Sequence, residues 1–187
     1  MWQSLHDAWW RLATQSHPQS FSDALACCAL RTGSVVYQAA VTLRNLAYDK
    51  GLARRTTLPC GVVSVGNLTV GGTGKTACVE LISKRLAARG KRVAVLSRGY
   101  GGVRKEYWLT SEQGALRVNG EAGDMDGLAD EPQLLAHHLE GVPILVGPRR
   151  DRTGALACTR FSSDVVVLDD GFQHRRVARD CDIVLVH

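Results

Sequence analysis

Residues 61–76, GVVSVGNLTVGGTGKT, decide the fold of this 187-residue chain. The stretch opens with a β-branched run and continues through a glycine-rich turn. It then leads into a segment whose apolar residues recur at helical spacing, among them Val79, Ile82 and Leu86. A strand, a glycine loop and a helix in this order are typical of a phosphate-binding loop. In such a loop, successive backbone N–H groups point at one anion beside the positive end of a helix.

The loop also carries the side chains that this chemistry needs. Lys75 is placed to reach the outer phosphates of a nucleotide, and Thr76 to ligate Mg²⁺. Thr69 departs from the strict motif, which has glycine at that position. A glycine turn without a ligand is the alternative, but the flanking strand and helix favour a nucleotide. The residues predicted to bind its phosphates are Gly71, Gly72, Thr73, Gly74, Lys75 and Thr76.

A second motif lies about ninety residues downstream of the loop. The run DVVVL at 164–168 is typical of a buried strand, and Asp169, Asp170 and Gly171 follow it. Apolar residues followed by an acidic residue are typical of a Walker B motif, in which a carboxylate at the strand tip holds Mg²⁺ directly or through water. Together with the glycine loop, this motif predicts a site for ATP and Mg²⁺.

Strand and helix patterns alternate along the rest of the chain. This alternation predicts an α/β fold like that of P-loop NTPases, with a mostly parallel sheet and helices on both faces. The segments 1–57 and 58–187 are predicted to form an N-terminal helical segment and the nucleotide-binding domain. Further strands are predicted at 92–97, 142–146 and 183–186, a hairpin at 107–109 and 116–118, and a helix at 133–139.

Composition limits the possible partners. The net charge of +5 suits a polyanionic substrate or an anionic membrane surface. Nucleic acid is the alternative on charge alone, but no recognised nucleic-acid motif is present, and we predict no nucleic-acid partner. The six cysteines form no C-x-x-C pair and are predicted to be small buried hydrophobes in a reducing compartment. The N-terminus does not have the pattern of a signal peptide, which predicts a cytosolic location.

The N-terminal segment becomes helical in pattern from Phe21 and resumes that pattern after Gly33. Its uncharged stretch, 32–43, is shorter than the roughly 20 apolar residues that a membrane-spanning helix needs. Tryptophans precede the segment and basic residues follow it, which is compatible with a helix lying in a membrane interface. A helix packed on its own domain is the alternative, and the pattern alone slightly favours it.

Three further positions are candidates for the site. Arg98 follows the strand at 92–97 and offers a planar donor fork for phosphate. Arg150 lies in a basic cluster after the strand at 142–146, where a solvated helix start is the ordinary explanation. Asp130 precedes a Glu-Pro pair at a predicted helix start. Ordinary N-capping competes there with a catalytic role, and the pattern alone favours capping.

The sequence resembles the tetraacyldisaccharide 4'-kinases, the lipid A 4'-kinases of Gram-negative bacteria. Family members share the noncanonical loop with Thr69. The resemblance rests on five blocks in the family's order, which are RNLAYDKGL at 44–52, VSVGNLTVGGTGKT at 63–76, LSRGYGG at 96–102, DEPQLLA at 130–136 and LDDGFQHRRVARDCDIVLV at 168–186.

The resemblance implies transfer of the γ-phosphoryl group of Mg-ATP to the 4'-hydroxyl of a tetraacyldisaccharide 1-phosphate, the lipid A precursor. It also implies that the enzyme works at the cytosolic face of the inner membrane with its N-terminal helix resting there, which reverses the preference for a packed helix. The implied catalytic residues are Lys75, Asp130 as base, Asp170 and His174. The implied metal ligands are Thr76 and Asp169, and the implied substrate contacts are Arg98 and Arg150.

Departures from the family pattern leave alternatives open. Ala129 stands where family members have glycine, and Asp124 after Gly123 is a rival for the base. The family continues into a second α/β domain that closes over the site, and this sequence stops before it. We therefore expect a fragment, a truncated product or half of a split enzyme, which would be a poor kinase alone. The alternative function is a nucleotide-binding fragment without catalysis.

Overall fold

The computed structural model describes residues 21–68, 74–102, 106–112, 114–121 and 126–186. The chain divides into two compact units between Ala53 and Arg54. In the first unit, helix α1 (Phe21–Asp49) runs through Gly33 without the interruption that the sequence pattern indicated. One glycine costs a helix only about 1 kcal/mol relative to alanine, too little to break a helix of 29 residues. None of the described helices is long and apolar enough to cross a membrane.

The second unit is an α/β domain. Its described elements alternate between strand and helix, except that three strands follow one another in the middle and no described helix separates the last two strands. In chain order they are β1 (Gly61–Asn67), α2 (Lys75–Ala87), β2 (Val93–Ser97), β3 (Tyr107–Glu112), β4 (Ala115–Val118), α3 (Asp130–His138), β5 (Ile144–Val146), α4 (Arg150–Arg160), β6 (Val165–Asp169) and β7 (Cys181–Leu185).

The seven strands form one sheet in the order β4-β3-β5-β2-β6-β1-β7. The five strands from β5 to β7 in this order are parallel, whereas β3 is antiparallel to β5 and pairs with β4 as a hairpin. The predicted class, a mostly parallel sheet with helices, is confirmed. The elements end within one to three residues of their predicted bounds, as is usual when boundaries are read from local patterns.

The core lies on both faces of the sheet. Successive residues of β2 point to opposite faces, so Val95 belongs to one buried cluster and Leu96 to the other. Val79 of α2 and Leu135 of α3 complete the first cluster, and Ala157 of α4 completes the second. Because the central strands are buried on both faces, their sequences are continuous apolar runs.

The sheet order brings three strand ends together. β6 lies between β1 and β2, with Val65 in register with Asp169 and Leu96 in register with Leu168. The carboxyl ends of β1, β6 and β2 therefore meet at one edge of the sheet, which is where open α/β sheets bind ligands.

The prediction that the cysteines are buried is wrong for Cys28 and Cys181, which are exposed. Cys28 lies on α1 in the first unit, and Cys181 begins β7, which is the edge strand of the sheet in the second unit. The other four cysteines are half-buried.

Candidate active site

A cavity of about 310 Å³ opens at the carboxyl ends of β1, β2 and β6. Its wall combines cationic side chains, acidic side chains and the start of helix α2. The residues that line it are Gly74, Lys75, Thr76, Ser97, Arg98, Gly99, Tyr100, Glu131, Arg150, Asp169 and Asp170. The structure thus brings together most of the predicted site residues, whereas Gly71, Gly72 and Thr73 lie outside the described residues.

Helix α2 begins at the cavity. Gly74 precedes it with a φ of 74°, in the left-handed region that favours glycine, and no side chain caps the helix start. The positive end of the helix is therefore directed at the cavity, where an anion would be stabilised. Lys75 Nζ donates a hydrogen bond to Asn67 Oδ1 at 3.0 Å and lies 3.6 Å from Asp170 Oδ1.

Asp169 is the most buried acidic group of the cavity, with 3% of its surface exposed. Ser97 Oγ donates to its Oδ2 at 3.4 Å, while its Oδ1 has no partner among the described residues. Burial, and next the charge of Glu131, raises the pKa of the Asp169 carboxyl to about 6. A buried carboxylate with a free oxygen needs a positive partner, so this residue fits a divalent cation.

Arg150, in the wall of the same cavity, supports this strand end. It is 3% exposed, and its guanidinium donates to the carbonyl oxygen of Asp170 at 2.9 Å and to that of Asp169. Asp170 adopts a φ of 50°, a conformation that L residues rarely occupy without support. The sequence suggested that Arg150 contacts substrate. The structure shows two of its donors holding the turn that presents the two carboxylates, and the contact with substrate stays a prediction.

Glu131 is a site residue to which sequence reasoning gave no role. Thr76 Oγ1 donates to Glu131 Oε1 at 2.6 Å, which links the first turns of α2 and α3. Glu131, Asn67 and Ser97 all lie inside the family blocks, so a signal was present, but their spacing alone did not show that they face one cavity.

Asp130 lies beside this cavity, not in its wall. It lines a second, adjoining cavity of about 610 Å³ that shares Thr76 and Glu131 with the first. Ala129 is the N-cap of α3 and no side chain caps that helix, so the N-capping explanation for Asp130 is wrong. The carboxylate of Asp130 is exposed and does not cap α3.

His174 lies outside the cavity wall, whereas Arg98 lies in it. His174 is half-buried and outside the cavity wall, and burial, followed by the charge of Arg150, lowers the pKa of its imidazole to about 4. It is therefore neutral near pH 7. Arg98 is exposed in the wall, with its guanidinium 5.4 Å from the centre of the Tyr100 ring.

Taken together, the cavity places cations and a helix start beside a group of oxygen ligands. Lys75, Arg98 and the start of α2 favour phosphate groups, while Thr76 and the carboxylates of Asp169 and Asp170 favour a hard cation such as Mg²⁺. This combination suits a phosphate ester bound together with a divalent cation.

Comparison with known proteins adds independent evidence. The model of the family described as tetraacyldisaccharide-1-P 4'-kinase matches residues 26–187. The tetraacyldisaccharide 4'-kinase of Anaeromyxobacter dehalogenans strain 2CP-C is 44% identical over 97% of this chain and 46% of its own length. The enzyme of Syntrophus aciditrophicus is 47% identical over 84% of this chain and 41% of its own length. This chain thus spans about half the length of the curated relatives that it matches.

A solved structure is also similar. The crystal structure of LpxK from Aquifex aeolicus, described as an "apo" form in complex with ATP, superposes with a TM-score of 0.72 at 39% identity. The match covers 84% of this chain and 48% of that one.

Proposed function

Because this chain belongs to the tetraacyldisaccharide-1-P 4'-kinase family, we propose that it binds Mg-ATP in the 310 Å³ cavity and transfers the γ-phosphoryl group to the 4'-hydroxyl of a tetraacyldisaccharide 1-phosphate. The match of the family model confirms the resemblance inferred from the sequence. The observation that carries the proposal is the convergence of Lys75, Thr76, Asp169 and Asp170 on one cavity at the start of a helix.

In this proposal Lys75 and the start of α2 hold the phosphates. Lys75 already lies between Asn67 and Asp170, so its ammonium group is positioned before any ligand enters. Arg98, exposed in the wall, is free to turn its guanidinium towards a phosphate oxygen. Phosphoryl transfer depends mainly on such positioning and on charge neutralisation.

The residues present also fit Mg²⁺. Thr76 and Asp169 would hold the ion, with Asp170 and Glu131 next to them in the same wall. Mg²⁺, when bound, neutralises charge on the β- and γ-phosphates. The unpartnered Oδ1 of Asp169 supports this assignment. Arg150 contributes by fixing the backbone that carries both aspartates.

We assign the base to Asp130 and the acceptor sugar to the adjoining cavity that Asp130 lines. Asp130 would accept the proton of the 4'-hydroxyl while that oxygen attacks the γ-phosphorus. The bond from the γ-phosphorus to the β,γ-bridging oxygen breaks, and ADP leaves. Thr76 and Glu131 belong to both cavities, so donor and acceptor would meet at them. The rival base, Asp124, lies outside the described residues.

The protein is further proposed to lie at the cytosolic face of the inner membrane through α1. Leu25, Val36 and Leu43 are 66%, 64% and 68% exposed. Their spacings of 11 and 7 residues place them on one side of a helix with 3.6 residues per turn. The basic residues Lys50 and Arg54 follow the helix. An exposed apolar stripe followed by basic residues suits the boundary between anionic headgroups and acyl chains.

Nucleotide binding is tested by calorimetric titration of Mg-ATP into the wild-type chain and two matched variants. Lys75→Ala removes a charge-assisted contact of about 1.5–3 kcal/mol and should weaken binding roughly ten- to hundredfold. Lys84→Ala, a control on the same helix whose lysine pairs with Glu80, should bind like wild type. Equal affinities in all three proteins would contradict the proposed site.

Catalysis is tested with radiolabelled ATP and a tetraacyldisaccharide 1-phosphate acceptor in mixed micelles. Asp130→Asn should retain Mg-ATP affinity and lose transfer by at least about a hundredfold, as expected for a general base. Asp124→Asn should keep the wild-type rate. Loss of transfer in Asp124→Asn together with wild-type transfer in Asp130→Asn would assign the base to Asp124. Slow transfer is expected of the wild-type chain alone, because it is expected to be a poor kinase; ATP binding with no detectable transfer in wild type would favour the non-catalytic alternative.

A further inference from the structure

Two cysteines far apart in sequence meet on the second unit. Cys60 immediately precedes β1, and Cys158 lies near the end of α4. Their Sγ atoms are 2.9 Å apart in a thiol–thiol hydrogen bond, although 98 residues separate them. Both are free thiols and both are half-buried, so small molecules can reach them. The other described cysteines show no comparable contact.

Both cysteines are held in place by their surroundings. Gly61, next to Cys60, donates its N–H to the carbonyl oxygen of Asp164 at 3.0 Å, and Val62 donates to Asp180 Oδ2 at 2.7 Å. Cys60 and Cys158 pack against the same buried cluster between α4 and the sheet. The two sulfur atoms are therefore kept together by elements of the domain core and do not rely on a chance approach of loops.

From this contact we infer that Cys60 and Cys158 form an oxidant-sensitive dithiol, which peroxides convert into an intramolecular disulfide. The inference is independent of the proposed kinase activity. In a reducing compartment the pair stays as thiols, and disulfides that form there are usually transient and redox-responsive.

The chemistry takes two steps. Burial, and next the hydrogen bond with Cys158, raises the pKa of Cys60 to about 12, which disfavours the Cys60 thiolate, so the first attack is assigned to Cys158, whose sulfur lies beside that of Cys60. The Cys158 thiol gives up its proton as its sulfur attacks one oxygen of hydrogen peroxide. The O–O bond breaks, the expelled hydroxide takes up that proton as water, and a sulfenic acid remains. Cys60 sulfur then attacks that sulfur, and its proton leaves with the expelled hydroxide as water. Two thiols and one peroxide give one disulfide and two waters.

The cross-link would lie at the opposite end of the sheet from the candidate active site. Cys60 stands at the amino end of β1, whereas the cavity residues follow the carboxyl ends of the parallel strands. The disulfide would join the sheet to the end of α4 and leave the cavity open. Closing a 98-residue separation restricts the unfolded chain, so the oxidised form should melt roughly 4–16 °C higher.

The test treats the purified full chain with a small excess of hydrogen peroxide, blocks the remaining thiols with iodoacetamide and maps tryptic peptides by mass spectrometry. Cleavage after lysine and arginine places Cys60 in peptide 56–75 and Cys158 in peptide 153–160. These two peptides should appear cross-linked, and dithiothreitol should release them. Melting temperatures are measured before oxidation, after it and after reduction.

Cys158→Ser should lose both the cross-link and the increase in melting temperature, whereas Cys181→Ser, at an exposed cysteine, should keep both. Cys60→Ala replaces the first variant if the serine proves unstable, and mapping of the wild type needs neither. Separate, alkylated peptides 56–75 and 153–160 from a sample whose exposed cysteines are oxidised would overturn the inference. An increase in melting temperature that persists in Cys158→Ser would do the same.

Discussion

Replacing Arg150 with methionine tests how the acidic turn of the site is held. Methionine keeps most of the apolar stem but removes the guanidinium that donates to the carbonyl oxygens of Asp169 and Asp170. If Arg150 served only to contact substrate, its loss would weaken ligand binding and leave the free energy of unfolding unchanged. If it positions the turn, the fold itself should lose stability.

The magnitude follows from the burial of these groups. Arg150 is 3% exposed and its hydrogen bond to the Asp169 carbonyl is buried, whereas its hydrogen bond to the Asp170 carbonyl is half-buried. Water therefore replaces the lost donor poorly at Asp169 and only in part at Asp170. Each buried acceptor left without a donor costs about 1–3 kcal/mol. Removing the buried cation offsets part of this cost, because burial disfavours its charge and lowers the pKa of the guanidinium. We expect a net loss of about 2–4 kcal/mol.

Urea unfolding followed by circular dichroism measures this loss. With a slope of about 2 kcal/mol per M, the midpoint of Arg150→Met should fall by about 1–2 M. Arg149→Met is the matched control, since the neighbouring guanidinium is exposed and bonds only Asp151 among the described residues. Its midpoint should stay close to wild type. Equal midpoints for Arg150→Met and wild type would refute the positioning role.

Three other predictions follow from the same structure. Asp169→Asn should reduce Mg²⁺-dependent ATP affinity at least about tenfold while leaving ATP affinity in EDTA unchanged. The ATP affinity of wild type should fall below about pH 6, where Asp169 takes up a proton. Equal wild-type affinities in titrations at pH 5 and pH 7 would contradict this pH dependence. Burial lowers the pKa of His174 from 6.5 to about 4, so only the unfolded chain binds this proton between those values and stability is lost as pH falls from 6.5 to 4. After allowance for partial exposure, His174→Gln should remove about 1–2 kcal/mol of that loss, and urea midpoints of variant and wild type that stay parallel from pH 7 to 4.5 would exclude it. Leu43→Asp should lower binding to anionic vesicles at least about tenfold in co-sedimentation. Ser34→Asp adds the same charge on the opposite side of α1 and should bind vesicles better than Leu43→Asp. Equal loss of binding in both variants would indicate a charge effect without insertion of the apolar stripe.

Local patterns in the sequence were sufficient for the fold class. The run before Gly66, the glycines around residue 71 and the helical spacing after Thr76 each report on neighbours within a few residues, and that range determines strands, turns and helices. The alternation of these elements then predicts a parallel sheet, and the run ending at Asp169 adds a strand whose acidic tip belongs at the ligand edge. The family blocks added the expected reaction.

The tertiary structure decided which distant side chains meet. Arg150 bonds a carbonyl 19 residues away, Thr76 bonds Glu131 across 55 residues, and Cys60 meets Cys158 across 98. These contacts depend on β6 lying between β1 and β2 and on which face each helix covers, and the periodicity of a single segment carries no information about either. Sequence placed the acidic and basic groups at the ends of strands, whereas the strand order determined that Arg150 holds the backbone of the site and that Glu131 joins its wall.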